Sequence, residues 1–234
     1  MKEHFSERLE SLRRQLISMG AQAETQIASA IEALVTGDAV KARAVIDSDK
    51  AIDQMEIRID EDAIDLLATQ QPVAGDLRLL VSALKINADL ERIGDHAVNI
   101  AEAAERLSTS RPFKPWVDIP YMAEIARGML QDSLDAFVRR DAKLALAVCK
   151  RDDLLDDKNK SIIRELLTYM AENPALISAC IEIMSISKNL ERVGDLATNI
   201  GEEAIYIAEG EVIKHNIQPN RGAEHATAPH PDRT

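Results

Sequence analysis

The sequence predicts an all-α protein made of two copies of an antiparallel three-helix unit. Three observations predict it. Aromatic residues make up only 3% of the 234, whereas sheet proteins draw on aromatic and β-branched side chains. Apolar residues recur at spacings of three and four over long stretches, the period of a helix face. The second half of the chain also repeats the first, which makes one supersecondary unit used twice the simplest architecture.

Leu9, Leu12, Leu16, Met19, Ala23, Ile27, Ile31 and Leu34 form one apolar helix stripe. Gly37-Asp38 marks the first helix–helix turn. A second stripe runs through Val45, Ile52, Ile59, Ala63 and Leu66 and stops before Pro72, because proline removes a backbone donor and clashes with the preceding turn. The third runs through Ile86, Leu90, Ile93, Ala97, Ile100, Ala104 and Leu107 without a break, the pattern of a bundle seam. Pro112, Pro115 and Pro120 then form a linker. Two further helices follow, Pro174 interrupts, and a sixth helix completes the second unit.

The repeat is explicit. Residues 86–102, INADLERIGDHAVNIAE, match residues 186–202, ISKNLERVGDLATNIGE, at ten of 17 positions. At a slightly different offset, Asp38 aligns with Asp141, Val45 with Val148, Asp49 with Asp152, Asp53 with Asp156 and Pro72 with Pro174. The expected organisation is a first unit over 1–112, a second over 113–210 and a tail over 211–234, with helical cores near 5–108 and 118–209. The tail holds Pro219, Pro229 and Pro231 and little periodicity, and is expected to be disordered.

Charge and hydropathy exclude several functions. With 28 basic and 40 acidic residues the net charge is −12, which argues against nucleic acid and against adhesion to anionic lipid. Cations or basic protein surfaces suit it better. The charged N-terminus has no apolar segment of the signal-peptide kind. The most apolar run, Ala175 to Ile181, stops at Glu182, far short of the ~18 residues of a span. Cys149 and Cys180 are too few for a disulfide framework, and a cytoplasmic location is expected.

The chemistry lies in the acids. At about 100° per residue, Glu91, Asp95 and Glu102 share one side of the third helix, opposite its apolar seam, with Asn99 nearby. Glu191, Asp195, Asn199 and Glu202 repeat the set. The middle helix of the first unit adds Asp49, Asp53, Glu56 and Asp60, and that of the second adds Asp152 and Asp156. A solvated face is the usual fate of a lone acid pair. However, like charges at i,i+4 destabilise a helix by about 0.2–0.5 kcal/mol, and this chain places them at Asp49/Asp53, Glu91/Asp95, Asp152/Asp156 and Glu191/Asp195. Clustered carboxylates can hold hard cations, dock a basic partner or serve as acid and base. Magnesium, manganese, calcium or iron suit such a set better than structural zinc. A di-iron bundle would need Glu-x-x-His ligands directed inward, and the chain has no such motif.

Catalysis has little support. His96 is the one histidine in the repeated motif, and Leu196 replaces it in the second copy. A packing or surface histidine is the ordinary reading, and an auxiliary ligand the sharper one. Gly94 and Gly194 stand in mid-helix, where glycine costs about 1 kcal/mol relative to alanine. Close helix approach or space beside the acids would explain them. Arg92 and Arg192 follow the first acid of each motif and can moderate its charge, though they also read as surface salt-bridge residues.

These residues carry a resemblance. The doubled LERIGD…NI and LERVGD…NI, the DLRLLVSALK segment after Pro72 and the opening FSERLESLRRQLISMG resemble the PhoU family of phosphate-signalling regulators over about 4–209. The resemblance implies two three-helix bundles with pseudo-twofold symmetry. It implies a non-enzymatic cytoplasmic negative regulator of the phosphate-starvation response that also limits high-affinity phosphate uptake. Its partners would be phosphate ABC transporter subunits and a phosphate-sensing histidine kinase, which would bring it to the membrane through protein contacts. It further implies multinuclear metal clusters, of iron or zinc, on Asp49, Asp53, Glu91 and Asp95 and on Asp152, Asp156, Glu191 and Asp195. Asn159, where the first unit has Glu56, would make the two sites unequal. A homodimer is expected, since acidic patches can be shared across a symmetric contact. A plain metal-binding helical scaffold and a metal-dependent phosphohydrolase are the alternatives.

Overall fold

The computed structural model describes residues 2–109 and 118–210. Its elements are α1 (Lys2–Thr36), α2 (Ala39–Gln70), α3 (Gly75–Ser108), α4 (Asp118–Arg139), α5 (Ala142–Glu172), a 3₁₀ turn at Pro174–Leu176 and α6 (Ile177–Glu209). Among the described residues there is no strand. The expected linker prolines at 112 and 115 and the expected tail lie outside the described residues, whereas Pro120 falls in the first turn of α4, where a missing N–H costs no helix bond.

The turns follow from local chemistry. Gly37 takes φ +68°, which glycine adopts without a Cβ penalty. Asp38 then caps α2 by accepting from the Lys41 amide at 3.0 Å. The second copy places Arg140 at φ +53° in the same role, and Asp141 accepts from the Lys143 and Leu144 amides at 3.0 and 3.1 Å. Pro72 follows the left-handed C-cap Gln71 of α2. In the second unit Asn173 accepts from the Ala175 amide at 3.1 Å and Pro174 opens the 3₁₀ turn.

Within each unit every helix packs on the other two, and the units join through α3 against α6 and α1 against α4. The α3–α6 contact is antiparallel: Ser82 meets Glu203, His96 meets Asn189 and Arg106 meets Glu182. α2 and α5 touch only elements of their own unit. One continuous apolar core runs through all six helices. Its aliphatic layers include Leu16, Ile27, Ile52, Ile86, Leu90 and Ile93, and Phe137 is fully buried. Ala23, Ala30, Ala63, Ala97 and Ala197 are buried among them, so backbones can approach closely without large side chains.

The apolar pattern carries no sign of the polar contacts between the units. Glu203 is buried, accepts from Ser82 Oγ at 2.8 Å and pairs with Lys85 at 2.8 Å. Its repeat counterpart is Ala103, so the repeat concealed it. Arg106 donates to both oxygens of Glu182 at 3.0 Å.

Candidate functional site

The geometry of α3 explains how the acids become a site. Ser82, Lys85 and His96 face α6, Asn87 and Gly94 face α2, and Ile86, Leu90, Ile93 and Ala97 face the core. At about 100° per residue, Glu91 and Asp95 occupy the remaining side, next to α2. The same rotation places Glu191 and Asp195 on the open side of α6, next to α5. Because α1 and α4 pack together behind the α3–α6 layer, both acidic grooves open on the opposite side of the molecule.

Across each groove the acids sense one another. Burial raises the Asp49 carboxyl above its ordinary range, and Asp53 and Asp95 raise it further. Burial also raises Glu91, with added repulsion from Asp95, Glu56 and Asp53, partly relieved by Arg92. Glu56 is raised by burial and then by Asp60, Asp53 and Asp95. The structure therefore brings together Asp49, Asp53, Glu91 and Asp95, and adds Glu56. In the second groove Asp152 is pushed up to about 6, first by burial and then by Asp195, Asp156, Asp153 and Glu191. Asp195 is raised by burial and Glu191, and eased by Arg192 and Lys188.

The outward direction read from the sequence needs refinement. Seven of the eight motif acids are half-buried groove walls rather than freely solvated surface: Asp49, Asp53, Glu91, Asp152, Asp156, Glu191 and Asp195, with Asp95 the exposed one. Other members of the expected faces turn elsewhere. Asp60 accepts from Asn87 Nδ2 at 2.9 Å. Asn99 donates to Asn189 Oδ1 at 3.2 Å. Glu102 pairs with Arg106 at 3.6 Å. His96 lies 2.8 Å from Asn189 Oδ1, a packing role across the two units.

The mid-helix glycines serve both purposes the sequence suggested. A Cβ on Gly94 would stand 3.0 Å from Ile52 Cδ1 and 3.4 Å from Asp49 Oδ1. One on Gly194 would overlap the Leu155 side chain and stand 3.4 Å from Asp152 Oδ1. Glycine thus lets the middle helix approach and keeps one flank of each leading aspartate clear.

The two grooves differ. In the second, Lys188 reaches both oxygens of Glu191 at 2.5 Å, and Arg192 lies 3.3 Å from Asp195. Ala88 stands where the second copy has Lys188. Asn159 is buried and accepts from Ser187 Oγ at 2.7 Å, so it fills a packing position instead of adding charge.

The donor set suits a hard cation. It consists of carboxylate oxygens, several are held above their ordinary pKa by burial and then by one another, and the buried Asp152 Oδ1 has no hydrogen-bond partner. Among the described residues, no three His, Cys, Asp or Glu side chains are already arranged to hold a metal ion. The grooves supply ligands on two walls rather than a closed cage.

Comparisons with known proteins agree with this architecture. The PhoU domain family matches residues 16–104 and again 119–204. A phosphate-specific transport system accessory protein PhoU homolog from Pseudomonas putida is 40% identical over 216 residues, covering 92% of this chain and 84% of that one. The crystal structure of PhoU from Pseudomonas aeruginosa superposes with a TM-score of 0.85 at 41% identity, covering 88% of this chain and 100% of the other. The phosphate transport system regulatory protein PhoU from Streptococcus pneumoniae gives a TM-score of 0.82 at 28% identity, over 89% and 98%. No described helix is long and apolar enough to cross a membrane. Two matched repeats, six helices in the matching fold and relatives at this identity place the chain in one family: it belongs to the PhoU family and is related to accessory and regulatory proteins of phosphate transport.

Proposed function

We propose that this protein is a cytoplasmic negative regulator of the phosphate-starvation response that also modulates high-affinity phosphate uptake. It acts without catalysis, through contacts with phosphate ABC transporter subunits and a phosphate-sensing histidine kinase, and works as a homodimer. The observation that carries this reading is the pair of acidic grooves on one side of a chain whose relatives are named for phosphate transport. Asp49, Asp53, Glu91 and Asp95 would hold cations in the first groove, and Asp152, Asp156, Glu191 and Asp195 in the second. Iron or zinc clusters, or other divalent cations, would offset the burial and repulsion that raise the Asp49, Glu91, Asp152 and Asp195 carboxyls. A metal bound there supplies positive charge on a surface that is otherwise acidic, and so changes which partner surface the groove accepts.

The test combines two measurements. Elemental analysis of purified protein should find iron, zinc or manganese, and Glu91→Ala with Asp95→Ala should remove the share held by the first groove. In cells, the same double variant should derepress a phosphate-repressed reporter at normal protein level. Full repression with a depleted groove would break the link between the groove and regulation.

A further inference from the structure

The open side of the molecule carries a second repeated feature beyond its acids. Leu77 and Ile177 occupy equivalent positions, as do Val81 and Ile181, and Ile64 and Leu167. All six are exposed: 42% and 41%, 38% and 53%, 57% and 53%. Solvent-facing leucine, isoleucine and valine have no reason to recur between copies whose other surface residues have diverged. At about 100° per residue, Leu77 and Val81 lie on the same side of α3 as Glu91 and Asp95. Ile64 lies on the facing side of α2, beside the stripe of Asp53 and Asp60. Each groove therefore has an apolar outer end and an acidic middle. Because α3 and α6 run antiparallel, the two apolar ends lie at opposite extremes of the molecule with both acidic stretches between them.

We propose that each groove is the docking surface for an amphipathic helix of a protein partner, carrying apolar side chains at one end and lysine or arginine further along. This rests on the regulatory reading above and names the chemistry of the partner. Charge selects the occupant. A second copy of this chain would set acidic groove against acidic groove at a net charge of −12 per chain, so the homodimer proposed above uses another face, and anionic membrane would be repelled in the same way. A basic helix gains from both halves of the groove while its carboxylates hold no metal, and a bound cation competes with it for the acidic stretch. The spacing is set by α3: the apolar pair is centred near residue 79 and the acidic pair near 93. That separation is about 21 Å at 1.5 Å per residue. The partner helix thus places its cationic residues about 14 residues from its apolar ones. Two equivalent grooves call for a partner that offers this helix twice, as a symmetric dimer does.

The experiment titrates the full-length protein with a labelled synthetic helical peptide. The peptide has two leucines one turn apart and, centred about 14 residues on, three arginines on the same face. Two control peptides replace the leucines by serine or the arginines by glutamate. The expected result is two peptides per chain. Leu77→Ser with Val81→Ser should leave one, Ile177→Ser with Ile181→Ser should leave the other, and each pair should weaken its site at least tenfold. Melting temperatures should stay within a few degrees of wild type, since the side chains are exposed. Equal binding of the serine peptide, or unchanged binding by the tip variants, would overturn the proposal. So would tip-dependent self-association in sedimentation, or tip-dependent binding to anionic vesicles in place of the peptide. In cells, tip variants should derepress a phosphate-repressed reporter. If they repress fully while deletion of the gene derepresses, the docking surface fails and the regulator stands. If deletion has no effect, the regulatory reading fails, and the peptide titration still decides the surface.

Discussion

Replacing Asp152 by asparagine should stabilise the metal-free protein at alkaline pH. In the folded state this carboxyl rises from an ordinary value near 3.8 to about 6, through burial and four neighbouring acids. Two units at 1.36 kcal/mol each set a ceiling of about 3 kcal/mol. The side chain is half exposed, so solvent screening reduces the realistic effect to about 1 kcal/mol. The sign follows from linkage. Between pH 4 and 6 the folded chain holds a proton that the unfolded chain releases, so stability falls as pH rises through that window and stays low above it. Asparagine removes the penalty, so Asp152→Asn should melt about 3 °C higher than wild type at pH 8 with chelator present. The difference should close toward pH 4, where the wild-type carboxyl is neutral in the folded chain. Adding manganese or zinc should reverse the order, because a ligand that binds only the folded state stabilises it by mass action, and the variant has lost a donor. Thermal melts at pH 4 and 8, with chelator or with metal, measure all of this. A variant that melts at or below wild type at pH 8 without metal, or a difference unchanged at pH 4, would show that the Asp152 charge costs the fold nothing.

Two further predictions concern the scaffold. Glu203→Ala should cost about 2 kcal/mol, because it strips the buried Ser82 hydroxyl and the Lys85 ammonium of their shared partner between the units. Denaturant unfolding measures it, and Glu203→Gln should recover part of the loss through the Ser82 bond. Asp141→Ala removes the cap that satisfies two amides at the start of α5 and should cost about 1 kcal/mol. The same change at Asp38, which caps one amide, should cost less.

The helices and their order were legible because a helix face repeats every three to four residues whatever packs on it. Leu12, Ile27, Ile52, Ile86 and Ile93 read as seam residues and all are buried. The acid pairs were legible for the same reason, since i,i+4 spacing is a local property of one helix. The neighbours across the groove were not. That Glu91 feels Asp53 and Glu56, or that Asp152 feels Asp195, depends on how α2 and α5 are rotated against α3 and α6. Glu203 escaped notice because an acid inside an apolar stripe announces no partner, and Ser82 and Lys85 lie more than a hundred residues away in the chain.

Sequence alone determined that this protein is helical, that it is built twice from one unit, and that its negative charge gathers in repeated pairs. All three are written in local periodicity and self-similarity, which need no third dimension. Tertiary packing decided the rest. The antiparallel docking of α3 on α6 placed both grooves on one side, with α1 and α4 closing the other. The missing Cβ atoms at Gly94 and Gly194 let the middle helices approach until burial, and then carboxylates on the facing helix, raised the Asp49 and Asp152 carboxyls. Electrostatic repulsion acts over a few ångströms of space, so only the packing of one helix on another turns acid pairs into a site.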